Sequence, residues 1–455
     1  MKPFVVRPIS HLKGKVSVPG DKSIAHRSII FSSLSEVKTE IKNFPINKDC
    51  LSTISAFRKL GIKINFASGV RVFGNGLHGL KQPKEPVFVG GSGTTIRLLL
   101  GVLAGQHFKT KLVAGKTLSK RPMLRVTAPL RLMGAKIGAR RKAQGARIEE
   151  YPPITIEGGE LKPVFYKMPV ASAQVKSAIL LAALFTKGET RILEPVPTRD
   201  HTERMLKLFK ADLKVIQNEI VIRGNKELVS PGRIIIPGDV SSAAFFMVLA
   251  SIIPNSQIFI RDVSLNPSRI GVIRVLKRMK ANVSVSVSKT GFSKFEPTGS
   301  ILIKSSSLKA TRIKKVEIPS LIDELPILMV ASCFAKGKTV FEGVNELRVK
   351  ETDRINSMAS NLRSMGADIV VSRTNSLENI IIKGVEGLKG AKVRSFNDHR
   401  TAMSMIVAGL AAKAKTSLDD VSCINKSFPN FLKVLNSLIY PRKTTLAVRA
   451  RICPH

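Results

Sequence analysis

The chain contains two near-copies of one strand–turn–helix segment, and this repetition restricts the fold more than any other feature. Residues Val16–Arg27 read VSVPGDKSIAHR, and residues Ile234–Phe245 read IIIPGDVSSAAF. Each copy runs through Pro-Gly-Asp into an apolar helix, with the Asp placed to cap the first turn. Three slots hold basic residues in the first copy (Lys22, His26, Arg27) and apolar residues in the second (Val240, Ala244, Phe245). A duplicated scaffold with basic side chains on one copy predicts an anion site at that helix start.

Similar segments recur along the chain, which gives about six units spaced by roughly 65 to 80 residues. The further copies are Val87–Ala104, Tyr166–Phe185, Val316–Ala335 and Val393–Ala412. A second helix that turns into a strand is predicted in four units, at Ser55–Phe66, Leu130–Gly138, Val275–Val287 and Asn361–Val371. The fold class is therefore α/β, and the two Pro-Gly-Asp copies divide the units into two sets of three.

Composition and cysteine spacing exclude several classes of protein. Apolar residues make up 44% of the chain, enough for sizeable cores. The longest apolar runs are too short to span a bilayer, and the first predicted strand leaves no room for a signal peptide. The four cysteines are scattered without metal-type spacing, at Cys50, Cys333, Cys423 and Cys453. We expect a cytoplasmic protein with no metal site and no membrane partner.

The charge is strongly basic, with 74 Lys plus Arg against 32 Asp plus Glu, or +42. The basic residues are spread along the whole chain and include two predicted surface helices, Arg140–Arg147 and Arg274–Lys280. The chain has no Trp, only three Tyr and no aromatic RNA-binding motif, so it lacks stacking platforms for bases. General surface basicity therefore explains the charge better than a nucleic-acid partner.

Polar or charged groups stand at the start of the first helix in five of the predicted units. They are Lys22, Ser23 and Arg27 in the first unit, Gly93 of the loop Gly90–Thr95 in the second, Ser172 and Gln174 in the third, Asp323 in the fifth and Arg400 in the sixth. Capping or a tight turn explains each one singly. If these helices are parallel, however, their amino termini converge on one cleft suited to a multiply anionic ligand.

Three other charged positions add to this set. Arg121 lies in the polar loop Ser119–Pro122, and Lys426 lies in a loop before Phe428. The run Arg348–Arg354 is the densest in charge, and on a helix its Lys350 and Arg354 would share a face beside Glu351. Each is by itself typical of a solvated surface, whereas the carboxylates near a cleft would suit general acid–base chemistry.

In their order along the chain, these motifs resemble the EPSP synthase family of enolpyruvyl transferases, as far as about Leu438. The matching motifs are Pro19–Arg27, Gly91–Leu99, Ser119–Met123, Ser172–Ala178, Arg199–Met205, Pro237–Phe246, Ile322–Pro326, Leu347–Arg354 and Asn397–Arg400. The resemblance implies two domains, each an inside-out α/β barrel of three βαβαββ-type units, with helix amino termini facing the interdomain cleft. The implied domains are 1–20 plus 238–455 and 21–237, and the basic tail 439–455 falls outside the resemblance.

The resemblance also implies an activity. Members of the family transfer the enolpyruvyl group of phosphoenolpyruvate to the 5-hydroxyl of shikimate 3-phosphate and release phosphate by addition and elimination. This step belongs to the shikimate pathway, which leads to chorismate and the aromatic amino acids. It needs no metal or organic cofactor, so we expect two small-molecule substrates, no cofactor and a monomer.

By the same resemblance, individual residues receive roles. Shikimate 3-phosphate would contact Lys22, Ser23, Arg27, Ser172, Gln174, Asp323 and Lys350, with Thr198 as a further candidate. Phosphoenolpyruvate would contact Lys22, Gly93, Arg121, Gln174, Arg354, Arg400 and Lys426. Catalysis would use Asp323 as proton acceptor, Glu351 as proton donor and Lys22 between the substrates. The loop Gly115–Leu118 is one residue shorter than is usual in the family, and Gly91 replaces a frequent Asn, which leaves the position of Arg121 open.

The sequence leaves two alternatives open. The UDP-N-acetylglucosamine enolpyruvyl transferases share phosphoenolpyruvate and the architecture, but they typically carry a reactive Cys before Arg-Pro, where this chain has Leu118, Ser119 and Lys120. An RNA-binding or RNA-end-processing protein is suggested by the charge and by the repeat fold of RNA 3′-phosphate cyclases.

Overall fold

The structure is a computed structural model that describes residues 3–144, 147–288 and 295–440. The helices in these ranges are α1 (Lys22–Leu34), α2 (Lys48–Lys59), α3 (Gly93–Ala104), α4 (Leu124–Leu132), α5 (Ala173–Ala183), α6 (His201–Leu208), α7 (Val240–Ile252), α8 (Gly271–Arg278), α9 (Ile318–Leu321), α10 (Leu325–Cys333), α11 (Arg354–Ser364), α12 (His399–Leu410) and α13 (Phe431–Ile439). The strands are β1 (Phe4–Val6), β2 (Lys13–Ser17), β3 (Ser35–Glu36), β4 (Lys38–Lys42), β5 (Lys63–Phe66), β6 (Val70–Phe73), β7 (Val87–Phe88), β8 (Lys109–Val113), β9 (Lys136–Gln144), β10 (Arg147–Glu157), β11 (Phe165–Lys167), β12 (Glu189–Leu193), β13 (Asp212–Ile216), β14 (Glu219–Arg223), β15 (Leu228–Val229), β16 (Arg233–Ile235), β17 (Gln257–Ser264), β18 (Asn282–Val287), β19 (Thr298–Lys304), β20 (Arg312–Ile313), β21 (Lys338–Phe341), β22 (Asp368–Thr374), β23 (Leu377–Lys383), β24 (Lys392–Val393) and β25 (Thr416–Leu418).

Five units repeat one arrangement, which confirms the predicted βαβαββ pattern in them. A first strand pairs in parallel with a second, and an antiparallel hairpin comes after the second helix. The fourth strand of the unit therefore lies inside the sheet, and the third lies at its edge. The five sheets are β16-β4-β6-β5, β7-β8-β10-β9, β11-β12-β14-β13, β2-β17-β19-β18 and β20-β21-β23-β22.

In the sixth unit the described residues form a sheet of three strands, in the order β24-β25-β1. The first strand of the chain, β1, pairs antiparallel with β25, with Phe4 opposite Leu418 and Val6 opposite Thr416. It therefore takes the place that the fourth strand holds in the other units. This strand of the unit therefore comes from the far end of the sequence.

The two Pro-Gly-Asp copies lie side by side where the chain exchanges strands between units. Strand β2 precedes α1 but pairs with β17, and β16 precedes α7 but pairs with β4. Between the crossing segments, the Asp21 amide donates to the Pro237 carbonyl at 2.7 Å and the Asp239 amide to the Pro19 carbonyl at 2.8 Å. A Cβ on Gly20 would lie 2.1 Å from the backbone oxygen of Asn43, so only glycine fits this crossing.

The described residues form two separate hydrophobic cores. One contains buried residues from Ile24 to Ile236, and the other combines Val6–Val18 with Val240–Leu438. The first helix of each unit is buried on most of its circumference, which explains why most of its residues are apolar or small. This partition supports the proposal that the chain divides into 21–237 and 1–20 plus 238–455. Residues 441–455 of the predicted tail lie outside the described ranges.

The predicted helix–strand pairs are confirmed, while one of the two predicted surface helices is wrong. Residues Arg274–Lys280 overlap α8, but the segment predicted as a helix from Arg140 falls in strand β9, paired with β10. Its basic run carries no helical periodicity, so pairing with the neighbouring strand decides its conformation. No helix among the described residues is long and apolar enough to cross a membrane.

Candidate active site

Helix starts from both cores meet around one cavity of about 190 Å³. Helices α1, α3 and α5 contribute from the first core, and α12 and the segments before α10 and α11 contribute from the second. The predicted site residues that line it are Lys22, Ser23, Arg27, Gly93, Arg121, Ser172, Gln174, Asp323, Lys350, Glu351 and Arg400, with Thr198 beside them. The convergence expected from parallel helices is therefore present.

Asp323 stands among three arginines. Its carboxylate accepts from Arg199 Nη2 at 2.7 Å and from Arg354 Nη1 at 3.3 Å, and it lies 3.3 Å from Arg400 Nε. Burial alone would raise the pKa of Asp323, but the charges of the three arginines outweigh it and hold that pKa well below the ordinary range. The neighbouring Glu324 is fully buried and turns away to Ser241 and Arg269, so one acid of the pair faces the cavity.

Glu351 is the second carboxylate of the cavity. It accepts from Arg354 Nη2 at 2.6 Å and lies 3.6 Å from Arg121 Nη1. Burial opposes ionisation here too, but the two arginines hold the pKa of Glu351 well below its usual value. Arg354 itself is fully buried and lies behind both carboxylates, where its Nε also donates to Asp398 at 2.9 Å.

The run Arg348–Arg354 is not one helix, so the prediction that Lys350 and Arg354 share a helical face is wrong. A 3₁₀ turn ends at Val349, and α11 begins at Arg354. The cause is Asp353, whose side chain accepts from the Asn356 amide at 3.0 Å and caps the helix at that point. Lys350 reaches the cavity from the intervening bend, and burial lowers its pKa to about 8.

The first Pro-Gly-Asp copy presents its basic residues through a hydrogen-bonded frame. Lys22 Nζ lies 3.0 Å from Asp49, and burial together with neighbouring cations lowers the pKa of His26 well below its usual value. Arg27 donates to Thr202 Oγ1 and Ser177 Oγ, each at 2.7 Å, and burial lowers its pKa to about 10. Lys22 is thus held at the cavity by its own unit, and Arg27 by the third unit.

The second and third units meet through Gln174. Its side-chain oxygen accepts from Arg97 Nη1 at 2.8 Å, and its nitrogen donates to Thr94 Oγ1 at 3.0 Å. Ser172 caps α5 by accepting from the Val175 amide at 3.4 Å. A polar corner with both donors and acceptors can bind hydroxyl groups as well as anions.

Gly93 is the first residue of α3, and the guanidinium groups of two arginines lie close to it. A Cβ at this position would lie 2.7 Å from Arg121 Nη1 and 2.8 Å from Arg97 Nη1. The absent side chain therefore leaves room for both guanidinium groups. The shortened loop before Arg121 does not keep that side chain out of the cavity.

Two predicted residues do not line the main cavity: Arg354, which is fully buried behind the two carboxylates, and Lys426. Lys426 Nζ donates to the Asn397 backbone oxygen at 2.8 Å, and this side chain lines an adjoining cavity of about 230 Å³. Arg121, Glu351 and His399 line both cavities. Asp49, the partner of Lys22, also lines both, so the two cavities adjoin through shared side chains.

Several cavity residues carry no role in the sequence prediction: Arg97, Arg125, Arg199, Arg269 and His399. Arg97, Arg199 and His399 lie inside motifs that pointed to the family, so their charge was the available signal. Arg269 had no sequence signal, because it is recognised only by its partners: the fully buried side chain lies 3.1 Å from Asp21 and 3.3 Å from Asp239.

Among the described residues, several arginine–carboxylate pairs join the two cores around the cavity. They include Arg121–Glu351, Arg125–Glu346 at 3.2 Å, Arg199–Asp323 and Arg269–Asp21. Among the described residues no cluster of three or more His, Cys, Asp and Glu could hold a metal ion. The arrangement combines many cations with two carboxylates, which suits anionic ligands and proton transfer.

Comparison with known proteins agrees with this geometry. The family model for EPSP synthase (3-phosphoshikimate 1-carboxyvinyltransferase) matches residues 6–435. A protein of that name from Desulforamulus reducens is 44% identical over 438 residues, which cover 96% of this chain and 99% of the relative. One from Geobacter sp. strain M21 is 45% identical over 441 residues, which cover 96% and 100%. A solved EPSP synthase from Acinetobacter baumannii superposes with a TM-score of 0.82 at 42% identity, covering 96% of this chain and 98% of that one. The chain therefore belongs to the EPSP synthase family.

Proposed function

We propose that this chain transfers the enolpyruvyl group of phosphoenolpyruvate to the 5-hydroxyl of shikimate 3-phosphate and releases phosphate, as a step of the shikimate pathway. The observation that carries the proposal is the pair of carboxylates, Asp323 and Glu351, set among arginines from both cores in one cavity. Two phosphorylated substrates bring several negative charges, which the guanidinium groups can bind in pairs of hydrogen bonds.

The site residues divide between the two substrates. For shikimate 3-phosphate we propose Lys22, Ser23, Arg27, Ser172, Gln174, Asp323 and Lys350. For phosphoenolpyruvate we propose Lys22, Gly93, Arg121, Gln174, Arg354, Arg400 and Lys426. The closeness of Lys22, Gln174 and Arg121 around one cavity supports this division, because a reaction between the substrates requires that their sites touch.

Asp323 would accept the proton of the attacking hydroxyl. Its low pKa keeps the carboxylate ionised at neutral pH, as a base requires. The hydroxyl oxygen bonds to C2 of phosphoenolpyruvate while C3 gains a proton. Elimination then breaks the bond from C2 to the phosphate oxygen and removes a proton from C3, so the double bond is restored.

Glu351 would deliver the proton to C3. Arg354 and Arg121 hold its pKa low, which by itself disfavours a proton donor. The phosphate and carboxylate of phosphoenolpyruvate would share those two cations and offset their charge. The pKa of Glu351 would then rise towards that of a working acid.

The alternatives receive less support. The described cysteines (Cys50, Cys333, Cys423) are buried, and none lines the cavity, whereas the UDP-N-acetylglucosamine enzymes typically use a reactive cysteine beside the substrate. The comparisons likewise give no support to an RNA-processing protein. A monomer in the cytoplasm stays a prediction, which sedimentation of the purified protein would check for the oligomeric state.

The deciding experiment is phosphate release from phosphoenolpyruvate by the purified chain. We expect release only when shikimate 3-phosphate is present, with loss of release in the Asp323→Ala variant. UDP-N-acetylglucosamine serves as the rival acceptor in a parallel reaction. Release with that acceptor alone, or no release together with tight, salt-dependent RNA binding, would overturn the proposal.

A further inference from the structure

Arg269 is a fully buried cation to which the proposed reaction gives no role. It lies two residues before α8 in the second core, and it lines the main cavity. Its Nη1 lies 3.1 Å from Asp21 Oδ2, and its Nη2 lies 3.3 Å from Asp239 Oδ1 and 3.9 Å from Glu324 Oε1. A guanidinium group is planar and presents its donors in a rigid fork, so it holds the acids around it in a fixed relative position.

Each of the three acids stands at the start of a helix. Asp21 accepts from a backbone amide in the first turn of α1 at 3.0 Å, and Asp239 does the same for α7 at 2.8 Å. Glu324 is the residue before α10. Helix α1 belongs to the first core, whereas α7 and α10 belong to the second. The contacts of Arg269 therefore join helix starts from both cores.

A fourth helix start reaches the same guanidinium group. Arg269 Nη1 lies 3.3 Å from Nε2 of His201, the first residue of α6 in the first core. Arg199 of the candidate site stands two residues before that histidine. In the second core, Arg269 Nη2 donates to Ser241 Oγ at 2.7 Å, and this hydroxyl in turn donates to Glu324. Two helix starts from each core thus share one side chain.

Two proposed catalytic residues adjoin these contacts in the sequence. Lys22 directly follows Asp21, and Asp323 directly precedes Glu324. Consecutive Cα atoms are fixed about 3.8 Å apart, so a displacement of either anchoring acid is passed on to its neighbour. The two catalytic residues come from different cores, and Arg269 binds next to both of them. It is therefore placed to determine how far the proton acceptor lies from the ammonium group.

We propose that Arg269 is a positioning residue, which holds Lys22 and Asp323 at the separation that the transfer requires. The inference rests on the proposed function, because that function gives these two residues their roles. Arg269 acts through Asp21 and Glu324 and makes no contact with the reacting atoms. A misplacement of about 1 Å can lower the rate of a positioned reaction by roughly 10²-fold. Shikimate 3-phosphate would contact both cores, so its KM should depend on the same separation.

Steady-state phosphate release by two variants tests the proposal. Arg269→Lys keeps the charge but replaces the rigid fork by a single ammonium group. Ser241→Ala leaves Arg269 in place and removes its hydrogen bond of 2.7 Å. We expect kcat to fall roughly 10- to 100-fold in Arg269→Lys and about five-fold in Ser241→Ala. The KM for shikimate 3-phosphate should rise several-fold in both variants.

Ser251→Ala is the matched control, because it removes another buried hydroxyl from the same helix, α7. Ser251 Oγ donates at 2.8 Å to the Met247 backbone oxygen and so bonds only within that helix. We expect unchanged kcat and KM in this variant. Thermal unfolding of each protein gives the fraction folded at the assay temperature. Because KM does not depend on that fraction, a purely structural role of Arg269 would leave KM unchanged.

Two results would overturn the inference while the proposed function stands. One is a normal KM, with a normal kcat per folded molecule, in both Arg269→Lys and Ser241→Ala. The other is an equal effect of Ser241→Ala and Ser251→Ala, and this comparison decides alone if Arg269→Lys does not fold. Absence of phosphate release by the unaltered protein is a separate outcome, which would overturn the proposed function and this inference with it.

Discussion

Arg199 Nη2 donates to Asp323 Oδ2 at 2.7 Å, and this bond joins the two cores at the carboxylate proposed as the base. Arg199 precedes α6 in the first core, whereas Asp323 precedes α10 in the second. One ion pair thus links the position of the substrate and the proton transfer to the approach of the two cores. The approach of the halves over bound substrates would exclude water from the reacting atoms.

Removal of that arginine should shift the pH dependence of the reaction. In Arg199→Gln one of the cations that lower the pKa of Asp323 is lost, so the pKa rises. The base works when ionised, and activity therefore falls off at a higher pH on the acid side than in the unaltered protein. The measurement is kcat/KM against pH, with exposed Arg223→Gln as control. An unshifted acid limb would contradict this coupling.

The adjacent acids Asp323 and Glu324 should respond in opposite ways to loss of charge. Asp323→Asn should lower kcat by roughly 10²–10⁴-fold with little change in thermal stability, because it removes a general base at the cavity. Glu324→Gln should instead lower the free energy of unfolding, since Glu324 is buried against Arg269 and Ser241. Phosphate release and thermal unfolding of both variants check the contrast. Full activity in Asp323→Asn would refute its role.

Glu351→Gln should stop proton delivery to the methylene carbon but leave phosphoenolpyruvate binding. Reaction in D₂O reports on this step, because solvent deuterium enters C3 when the carbon is protonated and the adduct reverts or eliminates. We expect deuterium in the products of the unaltered protein and none above background in the variant. Calorimetric titration with phosphoenolpyruvate is the control for an intact site. Normal deuterium incorporation would assign the proton to another group.

Gly93→Ala should weaken phosphoenolpyruvate binding. Its Cβ would stand 2.7 Å from Arg121 Nη1, and the flexible ends of Arg121 and Arg97 would have to move. We expect a several-fold higher KM for phosphoenolpyruvate and a smaller effect on shikimate 3-phosphate. Gly91→Ala is the matched control, because its Cβ would meet nothing within 4 Å. Equal effects of the two substitutions would show that the arginines do not depend on Gly93.

Lys176→Met should destabilise the protein, and the deficit should shrink at low pH. The buried ammonium lies 2.8 Å from Glu194 and 2.6 Å from Glu203, so its loss leaves two buried carboxylates uncompensated, at a cost of roughly 3–5 kcal/mol. Burial already raises the pKa of Glu203 and Lys176 opposes that rise, so without Lys176 the pKa of Glu203 rises further and protonation as pH falls removes its unpaired charge. Denaturant unfolding at several pH values, with exposed Lys187→Met as control, measures this. A pH-independent deficit would contradict the explanation.

The repeat was predictable from sequence because each unit carries its own periodicity and its own cap. Asp21 and Asp239 cap their helices as the Pro-Gly-Asp pattern predicts. The exchange of strands β2 and β16 between sheets could not be predicted from the sequence, because pairing partners about two hundred residues apart or more leave no local signal. The same reason applies to Arg269, whose buried partners come from the starts of three different helices. The charged motifs indicated where the cavity lies. The bend at Lys350 was not predicted, because it depends on the cap at Asp353, and nothing in this dense run of charged residues marked Asp353 as a cap.

The pairing of β1 with β25 has a consequence for biosynthesis. Phe4 leaves the ribosome first, and its partner Leu418 is made only near the end of translation. Strand β2 likewise cannot pair until β17 has been synthesised, so the amino-terminal segment stays without its native partners for most of synthesis. The core from Ile24 to Ile236 can assemble earlier once β16 is made, which predicts an order of folding in which the middle of the chain precedes both ends.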